Sequence, residues 1–190
     1  MRMRIYAKSL SVIFSAALPS CNHTAVVHRA PVSAAPRPGS SLSTQIFNEI
    51  NSYRSDCGKS ALQRHPGLDR LAQEHSEYMR KYRGTFSISG SDVSHFGFEN
   101  RAINARERFQ MTVTSENVAA ARYSGRTAAP ALVKLWLDSR HHVANIRNSW
   151  TYTGVGVVVD SDGMIFVTQL FACQTSSQRT TYRRFNGGGF

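Results

Sequence analysis

Thr153-Gly154-Val155-Gly156-Val157-Val158-Val159, then Asp160-Ser161-Asp162-Gly163, then Met164-Ile165-Phe166-Val167-Thr168-Gln169-Leu170-Phe171-Ala172, is the stretch whose reading decides the fold. Val155, Val157 and Val159 alternate with Gly156 and Val158, the period of a strand, and the β-branched and aromatic residues from Met164 onward form a second one. Asp160 to Gly163 has the composition of a tight turn. The stretch is therefore a β-hairpin with at least one buried face.

Upstream the period changes to helical. Pro130 suits the first turn of a helix, and Leu132, Val133, Trp136 and Leu137 give it an apolar face. Phe98 to Arg108 has a weaker helical pattern, and the Gly- and Ser-rich residues 84–97 before it read as a loop carrying His95. A Pro66-Gly67 turn precedes the stripe Leu68, Leu71, Ala72, His75, Met79, a helix over about 68–82. Ile46, Phe47, Ile50 and Tyr53 define a first helix over 44–56, with Ser43 or Thr44 as its cap and Gly58 beyond its end. Helices first and a hairpin last is the order of an α+β domain.

That domain occupies residues 41–175. Residues 1–20 carry Arg2, Arg4 and Lys8 and then an apolar run, Leu10 to Leu18, too short to span a membrane, and they read as an export signal. The signal ends in Leu18-Pro19-Ser20-Cys21, which is similar to a bacterial lipoprotein signal. Two outcomes stay open: lipidation at Cys21 with a membrane tether, or ordinary cleavage. Residues 21–40, with Pro31, Pro36, Pro38 and Gly39, form a linker, and 176–190 a loose basic tail. With Cys21 set aside, Cys57 and Cys173 remain, either bridged or as free thiols. A bridge closing that loop would stabilise by about 4 to 5 kcal/mol in the chain-entropy model.

The chain has a formal charge of +11, and loss of residues 1–20 leaves +8. Such a balance favours a lipid headgroup, a membrane surface or an acidic envelope polymer as partner. The bases are scattered, with no zinc-finger spacing and no RNA-binding aromatic motif, which argues against nucleic acid. No Gly-x-Ser-x-Gly elbow, phosphate loop or dinucleotide fingerprint occurs. Asp160, Asp162 and Gly163 start like a calcium loop, but the bidentate acid such loops need is absent, so a turn is the better reading.

Five short strings complete the pattern: Ser94-His95-Phe96-Gly97, Ser115-Glu116-Asn117-Val118-Ala119, Trp136-Leu137-Asp138-Ser139, His142-Val143-Ala144-Asn145-Ile146 and Thr153-Gly154-Val155-Gly156-Val157. Their order and spacing resemble the bacterial branch of the CAP superfamily, the cysteine-rich secretory, antigen 5 and pathogenesis-related proteins, over residues 44–174. The resemblance implies a three-layer α-β-α sandwich around a central, mainly antiparallel sheet. It also implies that His95, Glu116 and His142 face one central cleft. Many members add a second Glu three residues after a Trp; here that step from Trp136 reaches Ser139, which argues against a complete four-residue cluster. Arg101, six residues after His95, fits the bacterial pattern as a residue holding the loop by ion pairing. Asn117 and Asn145 read as structural, capping backbone groups through their amides.

Two imidazoles and a carboxylate can hold zinc or another divalent cation, so His95, Glu116 and His142 are also a candidate metal set. The N-terminal signal points to an exported protein, secreted or held in the periplasm or cell envelope, with a lipid anchor where Cys21 is acylated. The leading expectation is a non-enzymatic module binding a lipid or envelope component through the cleft. The alternatives are a metal-assisted hydrolase of peptide or cell-wall material and a tethered protein-docking domain.

Overall fold

A computed structural model of the chain describes residues 41–86 and 93–174. The export signal, Cys21, the 21–40 linker and the 176–190 tail lie outside the described residues. Among the described residues five α-helices, one short 3-10 helix (Gly125–Thr127) and four strands follow one another: α1 (Leu42–Asp56), β1 (Gln63–Arg64), α2 (Pro66–Lys81), α3 (Phe98–Phe109), β2 (Val113–Arg122), α4 (Ala128–Leu137), α5 (Arg140–Arg147), β3 (Tyr152–Val159) and β4 (Met164–Cys173).

The strands form one sheet in the order β1-β3-β4-β2. β3 and β4 are the hairpin read from the sequence, antiparallel with Val157 opposite Val167. β2 lies antiparallel on the other side of β4, with Glu116 opposite Leu170, and only the two-residue β1 runs parallel, along β3. On one sheet face α1 and α4 bury Ile46, Ile50, Leu132 and Trp136 against Val155, Val167 and Phe171. On the opposite face α2 and α3 bury Leu68, Phe98 and Ala105 against Leu170 and Ala172. The result is the expected three-layer sandwich, and the strand period of two assigns each β4 side chain to one layer.

Element ends shift where local chemistry is stronger than the periodic pattern. Ser41, two residues before the nearer of the expected caps, accepts the Thr44 amide through its hydroxyl and starts α1. Pro66 and Gly67 are not a turn but the first residues of α2: Pro66 has no amide to satisfy there, and the His65 ring caps the Leu68 amide. The Asp160–Gly163 turn is held by Arg83, which donates to both Asp160 and Asp162, and by Arg122 on Asp162. Its acids are thus spent on guanidinium groups.

The pairing of Cys57 with Cys173, left open by the sequence, is not made. Cys57 closes α1, and the Cys173 Sγ instead donates to the Ser149 carbonyl at 3.0 Å.

α2 lies directly on β3 and completes its hydrogen bonding. β1 pairs only with Tyr152 and Thr153, so the next outward amides of β3 need other partners. Asp69 accepts from Val155 N at 2.8 Å and Gln73 from Val157 N at 2.9 Å, two side chains one helical turn apart replacing a missing strand. This approach needs glycine at the contact. A Cβ on Gly154 would enter the backbone of Leu68 and Asp69, and one on Gly156 that of Ala72 and Gln73. Because helix backbone cannot yield as a side-chain tip can, Gly154→Ala is expected to lower stability by about 3 kcal/mol or more, read as a drop in the urea midpoint.

Candidate functional site

The site is built around Glu116, whose side chain is 1% exposed in the middle of β2. Alternation along the strand sends Glu116 and Asn117 to opposite faces. On Glu116's side stand α2, α3 and the turn before α3; on Asn117's side stands α5.

Ser94-His95-Phe96-Gly97 is that turn. The Phe98 amide donates to the His95 carbonyl, and Gly97 takes φ 74°, the left-handed conformation glycine tolerates best. The turn delivers the His95 ring to the cleft, with Nδ1 2.8 Å from Glu116 Oε1. It also starts α3, one turn into which Arg101 reaches the same carboxylate. Arg101 Nε donates to Oε2 at 2.7 Å, Nη2 to Oε1 at 2.9 Å and Nη1 to the Phe96 carbonyl at 2.9 Å. This is a bidentate guanidinium–carboxylate pair with a third bond to the loop.

His75, on the buried stripe of α2, is a fourth member that sequence reasoning left in the core. Its Nε2 is 2.6 Å from the Ser94 carbonyl and 3.9 Å from Glu116 Oε1. A polar ring in an otherwise apolar stripe was the signal that could have found it. His142, on α5, is buried, and neither of its ring nitrogens has a hydrogen-bond partner. Asn117 donates to the His142 carbonyl at 3.2 Å, and Asn145 donates to Asn117 Oδ1 at 2.8 Å and to the Glu116 carbonyl at 3.3 Å. The two Asn residues thus clamp α5 onto β2. Trp136 lies in the core and Ser139 at the start of α5.

Electrostatics follow from burial and partners. Burial alone would raise the Glu116 pKa, but the hydrogen bonds from His95 and Arg101 override it and hold the carboxyl below its usual range. Burial pushes His75 down to about 4 despite the pull of Glu116, with the Arg101 charge adding to the push. Burial also takes His142 down to about 4, with His95 and His141 acting in the same direction. Carboxylates and carbonyls only accept hydrogen bonds, so His95 carries its proton on Nδ1 and His75 on Nε2.

A divalent ion needs about three side-chain lone pairs aimed at one point. Here both Glu116 oxygens are bonded, His95 and His75 turn N–H groups toward the acid, and a guanidinium lies against it. The His95 Nε2 and both His142 ring nitrogens are buried without a hydrogen-bond partner. Among the described residues no three His, Cys, Asp or Glu side chains are grouped to hold a metal. The acid of the His95, Glu116, His142 set expected for zinc is thus met by one imidazole and one guanidinium through both oxygens.

The fold matches the architecture expected from the motifs. The family model for the cysteine-rich secretory protein family, CAP, matches residues 47–171. The chain belongs to that family. Solved structures with the same fold include an outer surface protein of Borrelia burgdorferi, 18% identical with a TM-score of 0.58, covering 70% of this chain and 93% of that one. An extracellular protein containing an SCP domain from Bacillus anthracis is 24% identical with a TM-score of 0.51, covering 70% of this chain and 40% of its own. A cysteine-rich secretory protein of Staphylococcus aureus is 17% identical with a TM-score of 0.50, covering 69% and 38%. The chain thus spans about two fifths of the Bacillus and Staphylococcus proteins. No curated protein matches the sequence.

Neutral buried imidazoles make a pH prediction. An unfolded imidazole titrates near 6.5, whereas His75 and His142 titrate at about 4 in the fold. Between those values the unfolded chain holds more protons, so stability is full above about pH 6.5 and falls as the pH drops toward 4. The loss is on the order of 2 to 3 kcal/mol per ring. Glu116, with its lowered pKa, contributes above the unfolded carboxyl value near 4.3 and is lost only below it. Denaturant midpoints should therefore decline from pH 7 to pH 4, and His142→Gln should flatten that slope while leaving the decline below pH 4.

Proposed function

We propose that this protein is an exported, non-enzymatic binding module of the CAP family that engages an anionic component of the cell envelope. The observation that carries the reading is the saturation of Glu116. A general base must be free to take a proton from water. The carboxylate in this cleft instead holds one imidazole and one guanidinium through both oxygens. The buried imidazoles of His75 and His142, at about 4, are neutral at physiological pH. That same saturation weighs against the hydrolytic reading, in which Glu116 would be the base or a ligand.

Export is supported by the basic and then apolar first twenty residues. It is supported too by the extracellular and surface proteins among the structural neighbours. The net charge of +8 after loss of that segment supplies the attraction to anionic headgroups or acidic polymer. Where Cys21 is lipidated, the 21–40 linker sets how far the domain reaches from the surface, and the mass of the mature N-terminal peptide distinguishes that tether from plain cleavage.

Purified protein should co-sediment with vesicles containing about one third anionic lipid at low ionic strength and be released by about 0.5 M salt, where screening is within a few ångströms. It should leave neutral vesicles in suspension. Absence of retention on anionic vesicles at low salt, together with absence of retention on acidic cell-wall polymer, would overturn the reading.

A further inference from the structure

We infer that Phe96, Tyr78 and Tyr82, with Lys81 at their rim, form the face by which this protein rests on an anionic lipid bilayer, the Phe96 ring entering the acyl boundary. The inference rests on the proposed function and deepens it: the envelope component is a lipid surface, and these rings are the contact.

Among the described large apolar side chains Phe96 is the most exposed, at 70%. Its backbone is nevertheless held on both sides: the amide donates to Ser94 Oγ at 3.0 Å, and the carbonyl accepts from Arg101 Nη1 at 2.9 Å. The exposure thus belongs to a fixed turn. A single exposed apolar residue needs no explanation, whereas a contiguous patch marks a contact surface, and this ring is not alone. It stacks on Tyr78 with centroids 5.6 Å apart and planes at 15°, and Tyr78 stacks on the buried His75 at 5.8 Å and 13°. Tyr82, 39% exposed, meets the same Tyr78 ring at 4.7 Å. A strip of rings therefore runs from the cleft to the surface and supports Phe96 from behind.

The end of α2 supplies charge beside the strip. Arg83 is spent on Asp160 and Asp162, and Arg80 lies 4.0 Å from Asp160. Lys81 instead holds its Nζ 5.1 Å from the centre of the Tyr82 ring, and among the described residues no acid pairs with it.

An apolar ring at the apex, tyrosines behind it and an ammonium at the rim suit a membrane–water interface, where rings sink below the headgroups and the cation meets phosphate. A sugar platform would instead need polar groups around the ring to bond hydroxyls. Those at hand are engaged: Ser94 Oγ with the Phe96 amide, Arg101 with Glu116 and the Phe96 carbonyl, and His95 Nδ1 with Glu116. The page of contacts around Phe96 thus favours lipid over glycan.

The test is co-sedimentation of the full chain with vesicles of about one third anionic lipid at low ionic strength. Phe96→Ser is expected to lower the partition coefficient about tenfold or more, the loss of roughly one buried aromatic ring. Lys81→Gln should lower it about fivefold. Val113→Ser, which removes a 56% exposed apolar side chain at the start of β2, should leave it unchanged. Phe96→Trp should keep binding, and its added fluorescence should be quenched by lipid brominated on the acyl chains, while the buried Trp136 and Trp150 of the wild type are not quenched. Should Phe96→Ser not fold, the quenching of Phe96→Trp decides.

Wild-type retention on vesicles that a folded Phe96→Ser leaves unchanged would overturn this inference and leave the proposed function standing. The same holds for a Phe96→Trp that fails to bind or binds without quenching, for retention on acidic polymer but not on vesicles, and for Phe96-dependent retention on a neutral glycan. Absence of wild-type retention on both vesicles and acidic polymer overturns the proposed function as well.

Discussion

The bond between Arg101 and Glu116 is the constraint on which this cleft depends. An acid buried in the middle of a strand is costly unless its charge is met, and breaking such a pair from one side costs about 3 to 5 kcal/mol. Meeting it here joins pieces far apart in sequence. Glu116 belongs to β2, Arg101 to α3, His95 to the turn between them in space, and His75 to α2 through the Ser94 carbonyl. The turn is held twice, by its histidine on the acid and by its Phe96 carbonyl on the guanidinium. One ion pair thereby sets the position of two imidazoles and the start of a helix.

The neighbouring residue does the equivalent task on the other face. Asn117 cannot reach the same layer as Glu116, because successive strand residues point opposite ways. Its amide takes the His142 carbonyl and the Asn145 side chain, and Asn145 returns to the Glu116 carbonyl. Trp150 then donates to the Asn145 carbonyl at 2.7 Å. Glu-Asn is therefore a two-sided fastener, with charge pairing toward α2 and α3 and amide pairing toward α5. That explains why the dipeptide is informative as a unit and neither residue is informative by itself.

Much of the fold was legible because it rests on repetition: the β3–β4 alternation and the stripes of α1, α2 and α4 are visible as periods of two and 3.6. β2 and α5 were not assigned from pattern, and the reason is physical. Val113 to Arg122 holds three alanines, an acid and an amide, and its buried residues Glu116, Asn117, Val118 and Ala119 run consecutively instead of alternating with exposed ones. α5, only eight residues long, is fixed by Asn117 and by Arg54, which donates to the Ile146 and Asn148 carbonyls. Such tertiary bonds leave no period to read. The grouping of His95 and Glu116 came from the family motifs. His75 stayed hidden in the α2 stripe because a buried imidazole and a core residue have the same helical spacing.

Arginine rather than lysine at position 101 follows from the geometry. The carboxylate presents two oxygens in one plane and the Phe96 carbonyl lies to the side, so three acceptors must be met from one cation at 2.7 to 2.9 Å. A guanidinium does this with its fixed fork and an outer nitrogen, whereas an ammonium is a point charge that favours one oxygen and keeps its water. Lysine would neutralise Glu116 without fixing the plane of its carboxylate. His95 would then lose the orientation of its acceptor, and with it the turn that begins α3. Charge balance and loop geometry are separable demands, and only the planar cation satisfies both from one side chain.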